Sequence, residues 1–398
     1  MNLPLNEPIT LKDVAAQAEK VASVMQKIKA AMFAPSSQKK APTFNSSALA
    51  ELCSISKVQQ SNRVSKGDLP SGTLKGSRRE WSLEEAMQWV HAYSTRAPKP
   101  EEASAVTISI ANFKGGVAKT TSAVTLAQGL ALKGNKVLLI DLDPQASATS
   151  LFGFLPDSDV SREQTALGIL EGDVELIDSA IQKTYWSGLD IVCAAPMLFS
   201  AEFALPSRQL NQPGFEFWMA LDMGLDQARR TYDVIVIDTA PALSYVTINA
   251  LLASDGVIMP LPPNTIDFAS SSQFWGLFSD LCNQLYAGNP DSKTFEFMTV
   301  LLSKVESDAI SSVVRQWILE AYADKVLPIE IPKTSVAINA SVEFGTIYDV
   351  QKNLLSAKTY LRAKDAYDRY VDLIDEQVQA IWVKQVQRLN KELKGAGK

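Results

Sequence analysis

Short apolar runs alternate with longer amphipathic stretches over the last three quarters of this chain. Runs of four to six mostly apolar residues lie at Val106–Ala111, Val137–Ile140, Leu189–Cys193, Val234–Ile237, Gly256–Pro260 and Phe297–Leu302. Runs that lack regular polar alternation are typical of strands buried on both faces of a parallel sheet. With helical patterns between them, they predict a doubly wound, mostly parallel α/β domain over residues 103–398.

A different periodicity marks the start of the chain. Apolar residues recur there at intervals of four, three, four, three and four, at Val14, Ala18, Val21, Met25, Ile28 and Met32. This is the seam of a coiled coil on an otherwise polar helix, capped by Thr10 and Asp13. Such a seam needs a partner surface, either on its own chain or on a second copy. We assign residues 1–42 to a dimerisation helix and a linker.

Residues 43–102 combine short helical patterns with a local excess of basic residues. The pattern predicts three helices and a hairpin, or wing, at Ser46–Cys53, Lys57–Ser65, Leu83–Tyr93 and Ser71–Arg79 respectively. From Lys57 to Arg79 there are six basic residues and one acid. This order predicts a winged helix-turn-helix that binds DNA, and it resembles the MerR-like domain through Ala50, Gly67 and Leu69.

The composition excludes several classes of protein. Three cysteines lie far apart and a single histidine is present, so a Cys/His zinc site and a disulfide framework are not expected. We expect no signal peptide and no membrane-spanning segment, and therefore a cytoplasmic protein. The net charge of −6 means that any DNA contact must come from local basic patches.

The segment from Asn112 to Thr121 follows a predicted strand and precedes a predicted helix, as a phosphate-binding loop requires. Glycines allow the loop to point its N–H groups at phosphate, and the helix N-terminus adds positive potential. Lys119 would neutralise the β- and γ-phosphates, and the Thr120 hydroxyl would ligate Mg²⁺.

Two further strands deliver aspartates to the same edge of the sheet. The run beginning at Val137 ends in Asp141 and Asp143, and the run beginning at Val234 ends in Asp238. Ligands of open α/β sheets bind at the carboxyl ends of the strands. Asp238 could therefore hold Mg²⁺ through water.

Three motifs together resemble those of the MinD/ParA ATPases. Lys114 and Lys119 frame the deviant Walker A pattern KGGxxKT, "DLDPQASAT" starts at Asp141, and "DVIVIDTAPAL" starts at Asp233. The likeness runs from Val106 to near the C-terminus. One departure is Ala118, where the superfamily more often has glycine.

The resemblance implies a slow, partner-stimulated, Mg²⁺-dependent ATPase that binds ATP or ADP. It implies that Lys114 reaches the phosphates of a partner subunit in a nucleotide sandwich dimer, that Asp143 orients the attacking water, and that Asp141 supports the Mg²⁺ shell. The implied nucleotide-binding residues are Lys114, Gly115, Gly116, Val117, Ala118, Lys119, Thr120, Thr121 and, around the adenine, Ser303 and Pro332.

The resemblance also implies two DNA-binding modes. ParA proteins bind nonspecific DNA as ATP dimers, and the position of the family's contacts points to Arg315 and Lys333. Longer members carry an N-terminal operator-binding domain, which implies autorepression. Its expected contacts are Lys57, Gln59, Gln60 and Arg63 in the major groove, and Arg78 and Arg79 on the DNA backbone. The resemblance also implies that the protein forms a homodimer, has a ParB-type centromere-binding partner and lies on the nucleoid.

Three other functions remain open from the sequence. A MinD-like regulator would bind membrane through the amphipathic stretch Tyr367–Leu393, although packing of this stretch on the core is the favoured expectation. An iron–sulfur protein like nitrogenase reductase would need paired cysteines at a dimer axis. A transcription factor could use ATP only as a structural ligand.

Overall fold

A computed structural model describes residues 8–32, 39–289, 292–334, 345–349 and 357–396. The chain divides into two compact units, Met1–Lys40 and Ala41–Lys398. The first unit contains helix α1 (Leu11–Met32), which confirms the predicted N-terminal helix. Asp13 accepts a hydrogen bond from the Thr10 backbone N–H at 2.9 Å, as expected of the cap. Val14 and Val21 of the predicted seam are exposed, and the side chains of Met25, Ile28 and Met32 lie outside the described set.

The second unit is built on an eight-stranded sheet. Its strands are β4 (Val106–Ile110), β5 (Val137–Leu142), β6 (Gln182–Lys183), β7 (Leu189–Val192), β8 (Val234–Thr239), β9 (Gly256–Leu261), β10 (Phe297–Val305) and β11 (Val326–Pro332). Their order in the sheet is β11-β10-β9-β4-β8-β5-β7-β6. All neighbouring strands are parallel except β6 and β7. The predicted mostly parallel α/β fold is confirmed.

Helices cover both faces of this sheet. They are α5 (Lys119–Leu132), α6 (Ser147–Leu151), α7 (Leu167–Glu171), α8 (Ala201–Asn211), α9 (Ala220–Gly224), α10 (Asp226–Thr231), α11 (Tyr245–Leu252), α12 (Thr265–Leu285), α13 (Ala309–Tyr322) and α14 (Ala357–Ala396). Strand β5 shows why two cores form. Val137 and Leu139 belong to one apolar cluster, and Leu138 and Ile140 belong to the other, because successive side chains of a strand point to opposite faces.

The edge strands were not predicted. Strand β11 contains Pro328 and Pro332 and is only partly buried, so it lacks the continuous apolar run used to find the others. Strand β6 has two residues and pairs with β7 in the antiparallel direction. Both strands depend on long-range pairing that a local pattern does not encode.

Residues 44–93 form a smaller arrangement within the second unit. It consists of β1 (Phe44–Asn45), α2 (Ser46–Leu52), α3 (Lys57–Lys66), β2 (Thr73–Lys75), β3 (Arg78–Trp81) and α4 (Leu83–Tyr93), with the three strands antiparallel in the order β1-β3-β2. These elements match the predicted helices and hairpin. Ser56 and Ser82 each form a capping box, and Gly67 ends α3 with a φ of 74°. Trp81 and Trp89 both donate to the Pro70 carbonyl, at 2.9 and 3.0 Å.

The C-terminal helix α14 packs against the sheet unit, as favoured from the sequence. Its apolar stripe is buried from Tyr367 to Trp382, while Leu389 and Leu393 near its end are exposed. The contact with α5 is close, because a Cβ added at Gly129 would lie 2.4 Å from the Val371 side chain. Among the described residues, no helix is long and apolar enough to cross a membrane.

Candidate nucleotide site

The predicted motifs meet at the carboxyl ends of three adjacent strands. Strand β8 lies between β4 and β5, and Asp238 is the register partner of both Ile110 and Asp141. The loop from Asn112 to Ala118 follows β4 and leads directly into α5. This order brings Asp141 and Asp238 beside the loop, because parallel strands end at a common edge.

The loop is held by its first residues. The Asn112 side chain donates to the Pro260 carbonyl at 2.9 Å and accepts from the Lys114 N–H at 3.0 Å. Gly116 has a φ of +77°, where a side chain would be unfavourable. Lys114 itself is half-buried.

Ala118 also occupies the left-handed region, with a φ of 74°. Glycine adopts this conformation without strain, which accounts for its higher frequency at this position in the superfamily that the motifs resemble. An alanine can adopt the conformation, but at a cost of about 1 kcal/mol from the clash of its Cβ. The helix starts at the next residue, Lys119, so the strained residue sets the turn from loop to helix.

Lys119 is buried beside the loop where it is expected to bind phosphate. Its Nζ donates to the Lys114 carbonyl at 3.0 Å, and the residue is 7% exposed. Burial lowers the pKa of Lys119, and the nearby carboxylates of Asp238 and Asp143 partly offset that change. The ammonium is thus placed between the loop and two acids.

Asp238 has the environment expected of a carboxylate that binds a cation. It is 0% exposed, and neither carboxylate oxygen accepts a hydrogen bond of ordinary geometry from the described residues. Burial raises its pKa well above the usual value, the Asp141 charge adds to this, and the neighbouring Thr120 hydroxyl partly opposes it. A buried carboxylate with one neighbouring hydroxyl as its donor fits a cation ligand.

The donor set fits Mg²⁺ better than a metal held by protein groups alone. Across the described residues, no cluster of three or more His, Cys, Asp or Glu side chains could hold a metal ion. Mg²⁺ usually takes one or two carboxylates and completes its shell with water and phosphate oxygens. One buried aspartate beside a threonine hydroxyl is such a partial set. Cys193 is fully buried, and Cys282 is half-buried on α12, so neither supports an iron–sulfur site.

Asp141 and Asp143 have different surroundings. Asp141 accepts from the Thr149 N–H and hydroxyl, both at 2.8 Å, and from the Asp143 N–H at 3.1 Å. Burial raises the pKa of Asp141 to about 6, and these hydrogen bonds limit the rise. Asp143 accepts from the Gln145 N–H at 2.9 Å and is 9% exposed. Asp141 thus braces the turn that presents Asp143.

The two residues predicted to contact adenine lie at the ends of β10 and β11. Ser303 is buried, and its hydroxyl donates to the Val117 carbonyl at 2.9 Å, so it contacts the loop itself. Pro332 is the register partner of Val305. Thr120 and Thr121, in the first turn of α5, are both half-buried. The adenine contacts remain predictions.

Sequence reasoning overlooked Lys304. Its Nζ donates to the Gly116 carbonyl at 2.6 Å, and its φ is 50°. Lys304 directly follows Ser303 at the end of a strand, and this position at the ligand-binding edge was the available signal.

The expected DNA contacts on α3 divide into accessible and occupied residues. Lys57 is exposed, and Gln59 uses its side chain in the Ser56 capping box at 2.8 Å. Gln60 is 2% exposed and bonds to Ser46 of α2, so the prediction that it enters a groove was wrong. The reason is that the Gln60 side chain lies on the face of α3 that packs against α2.

Arg63 of the same helix is already engaged within the chain. It pairs with Asp68 and donates to the Tyr93 hydroxyl at 3.0 Å.

The remaining expected DNA contacts lie on the hairpin and near β11. Arg78 is exposed on β3, and Arg79 donates to the Ser71 carbonyl. Arg315 pairs with Glu330, and Lys333 pairs with Glu306 at 2.7 Å. A phosphate would have to compete with these carboxylates.

The fold and site define a P-loop nucleotide-binding protein of the α/β class. A family model described as an AAA domain matches residues 105–286. Protein SopA of Escherichia coli (strain K12) is 30% identical over 74% of this chain and 76% of its own length. The chromosome partitioning protein ParA of Caulobacter vibrioides is 30% identical over 67% of this chain and 95% of its own. The chain therefore belongs to the ParA family of partition proteins.

Solved structures share the fold of this chain. Cobyrinic acid a,c-diamide synthase from Mycobacterium smegmatis, with a bound ATP analog and magnesium, is 30% identical with a TM-score of 0.51, covering 67% of this chain and 93% of that one. A structure described as "Partition Protein" has a TM-score of 0.64 at 21% identity and covers 92% of this chain and 98% of its own. The second likeness supports the fold alone.

Proposed function

We propose that this protein binds MgATP at the loop of residues 114–121, hydrolyses it slowly, and uses the cycle to partition DNA. The observation that carries the proposal is the fully buried carboxylate of Asp238, which accepts no hydrogen bond of ordinary geometry from the described residues, beside a glycine loop whose lysine is also buried. The sheet order brings these groups together with Asp143 from a third strand. Partition proteins among the relatives support the cellular role.

Each residue would perform a separate task in phosphoryl transfer. Lys119 would exchange its bond to the Lys114 carbonyl for the β- and γ-phosphates. Thr120 and Asp238 would hold Mg²⁺, which neutralises charge on the phosphate oxygens when bound. Asp143 would orient the attacking water, with Asp141 fixing its turn. Positioning of this kind supplies most of the catalysis in phosphoryl transfer.

We expect slow hydrolysis by the isolated protein because a second subunit would be needed to complete its site. Lys114 is the remaining lysine of the loop, and we propose that it completes the site of a partner subunit in an ATP dimer. A donor supplied across a dry interface stabilises charge that develops in the transition state. Hydrolysis is then tied to dimerisation, and a ParB-type protein can accelerate it. Helix α1, with Val14 and Val21 exposed along its seam, would provide a second dimer contact.

Residues 43–102 are proposed to be a winged helix-turn-helix domain that reads the operator of the protein's own operon. Helix α3 would enter the major groove through Lys57, Gln59 and Arg63, and the hairpin residues Arg78 and Arg79 would hold the backbone. The capping box and the turn between α2 and α3 fit this motif. Residues 1–42 and 103–398 would be the dimerisation segment and the ATPase domain.

Nonspecific DNA would bind the ATP dimer through Arg315 and Lys333 once their acidic partners are displaced. Contacts with phosphate carry no sequence information and weaken steeply with salt. This mode would place the protein on the nucleoid within the cytoplasm. A MinD-like membrane role is disfavoured, because the stripe of α14 is buried from Tyr367 to Trp382.

The proposal is tested by DNA binding with ADP and with ATP, on random DNA and on DNA from upstream of the protein's own gene. ADP should favour the upstream fragment, and ATP should support binding to either DNA. Absence of DNA binding with both nucleotides would contradict the partition role and return the membrane-regulator alternative to consideration.

A further inference from the structure

Two residues near the end of β10 contact the loop of residues 114–121. Ser303, which is fully buried, donates its hydroxyl to the Val117 carbonyl at 2.9 Å. Lys304 donates its Nζ to the Gly116 carbonyl at 2.6 Å. Two consecutive residues of one strand therefore hold two consecutive carbonyls of the loop.

An unusual backbone conformation makes this double contact possible. Successive side chains of a regular strand point to opposite faces of the sheet, so neighbours do not normally reach the same target. Lys304 leaves the strand conformation with a φ of 50°, in the left-handed region that residues with a Cβ adopt rarely. Strained residues of this kind persist where the surrounding structure holds them, and they concentrate at functional sites.

The contact controls the direction of the loop amides. A trans peptide group is planar, so its carbonyl and the N–H of the next residue point in opposite directions. Bonds from Lys304 to Gly116 and from Ser303 to Val117 therefore direct the N–H groups of Val117 and Ala118 to the other side of the loop. Backbone N–H groups are what a loop of this type offers to phosphate.

We propose that Ser303 and Lys304 are positioning residues that hold the loop in its phosphate-binding conformation before the nucleotide arrives. The proposal rests on the proposed MgATP function of the same loop. It gives Ser303 a role in the loop that differs from the expected adenine contact. It also gives Lys304 a role through the backbone of the loop, in addition to the lysines within the loop.

The first test uses the protein without nucleotide. Lys304→Met keeps the length of the side chain and removes the donor. Amide hydrogen exchange over residues 115–119 should become roughly 10-fold faster, since a hydrogen bond from a charged group is lost. Lys325→Met is the matched control, because Lys325 is exposed at the opposite end of the neighbouring strand. Equal exchange in both variants and in the wild type would overturn the proposal.

The second test measures affinity for MgATP and MgADP by calorimetry. Lys304→Met should weaken both by a similar factor of about 10, raise KM, and leave kcat within about two-fold, because the loop holds ground and transition states alike. Unchanged affinities would overturn the proposal, as would a loss confined to ATP, which would indicate a direct contact with the γ-phosphate. A wild-type protein that bound neither nucleotide would refute the proposed function, while the exchange experiment would still decide on the anchoring.

The third variant separates the two roles of Ser303. Ser303→Ala removes the donor to Val117 and should weaken ATP and GTP by the same factor, since both share the phosphates. A selective change in the ratio of ATP to GTP affinity would assign Ser303 to the base and remove it from the anchor. The melting temperature of each variant should match that of Lys325→Met, so that a general loss of stability is distinguished from a local one.

Discussion

The candidate nucleotide site and the proposed DNA-binding surface differ in how their residues are held. Asp141, Asp238 and Lys119 are buried, and sheet register or a loop bond fixes each of them. Lys57 and Arg78 are exposed, and Arg63 is already paired with Asp68. Sequence motifs restrict the position of a side chain most where burial and strand register allow one arrangement. This restriction is weaker on a surface, where neighbouring acids and carbonyls compete for each cation.

The largest effect is expected at Asp143. Asp143→Ala should keep MgATP affinity within a few-fold and reduce turnover by roughly 100-fold or more, because water positioning acts in the transition state. Single-turnover hydrolysis measures it. Asp324→Ala, an exposed carboxylate beyond α13, is the control and should retain wild-type turnover. Normal hydrolysis by the Asp143 variant would remove this residue from its proposed task.

A smaller effect is expected on the DNA surface. Within the described part of the chain, Arg78 forms no ion pair. Arg78→Ala should weaken operator binding several-fold at moderate salt and reduce the slope of log K against log salt by about one, because one phosphate contact is lost. The buried Gln60 provides the comparison, since Gln60→Met should leave that slope unchanged. A slope that changed with Gln60 and not with Arg78 would reverse our division of the surface.

The smallest effect is expected at Ala118. Ala118→Gly should stabilise the folded protein by relieving the strain of the left-handed backbone conformation. The greater flexibility of glycine in the unfolded chain offsets part of this stabilisation. The free energy of unfolding should rise by about 0.5 kcal/mol in urea denaturation. The same substitution at Ala131, inside helix α5, should lower it by about 1 kcal/mol or more. Destabilisation by Ala118→Gly would show that the loop is not strained there.

Much of the fold could be predicted from local pattern. The six predicted apolar runs correspond to strands β4, β5, β7, β8, β9 and β10 of the structure. They could be predicted because strands buried on both faces need continuous apolar sequence. Strand β11 was not predicted, because its two prolines and its partial burial leave no continuous apolar run. The capped helices of residues 46–93 were predicted because caps are local signals.

The residues of the candidate site could be proposed from the sequence, but the contacts that hold the loop in place could not. Motif spacing identified Lys119 and Asp238, yet the Ser303 and Lys304 contacts join segments about 186 and 188 residues apart. Only the pairing of β10 with its neighbours in the sheet brings them to the loop. The inward position of Gln60 depended on the packing of α2 against α3, which a charge count does not contain.

The most direct test of the central claim is MgATP affinity of the Lys119→Ala variant, measured by calorimetry beside the wild type. Lys119 is buried between the loop and the acids, so its loss should weaken binding by about 100-fold or more, as expected for a charged contact with phosphate. That result would establish the loop as the nucleotide site. An unchanged affinity, with the variant folded, would contradict the assignment of this edge of the sheet to MgATP.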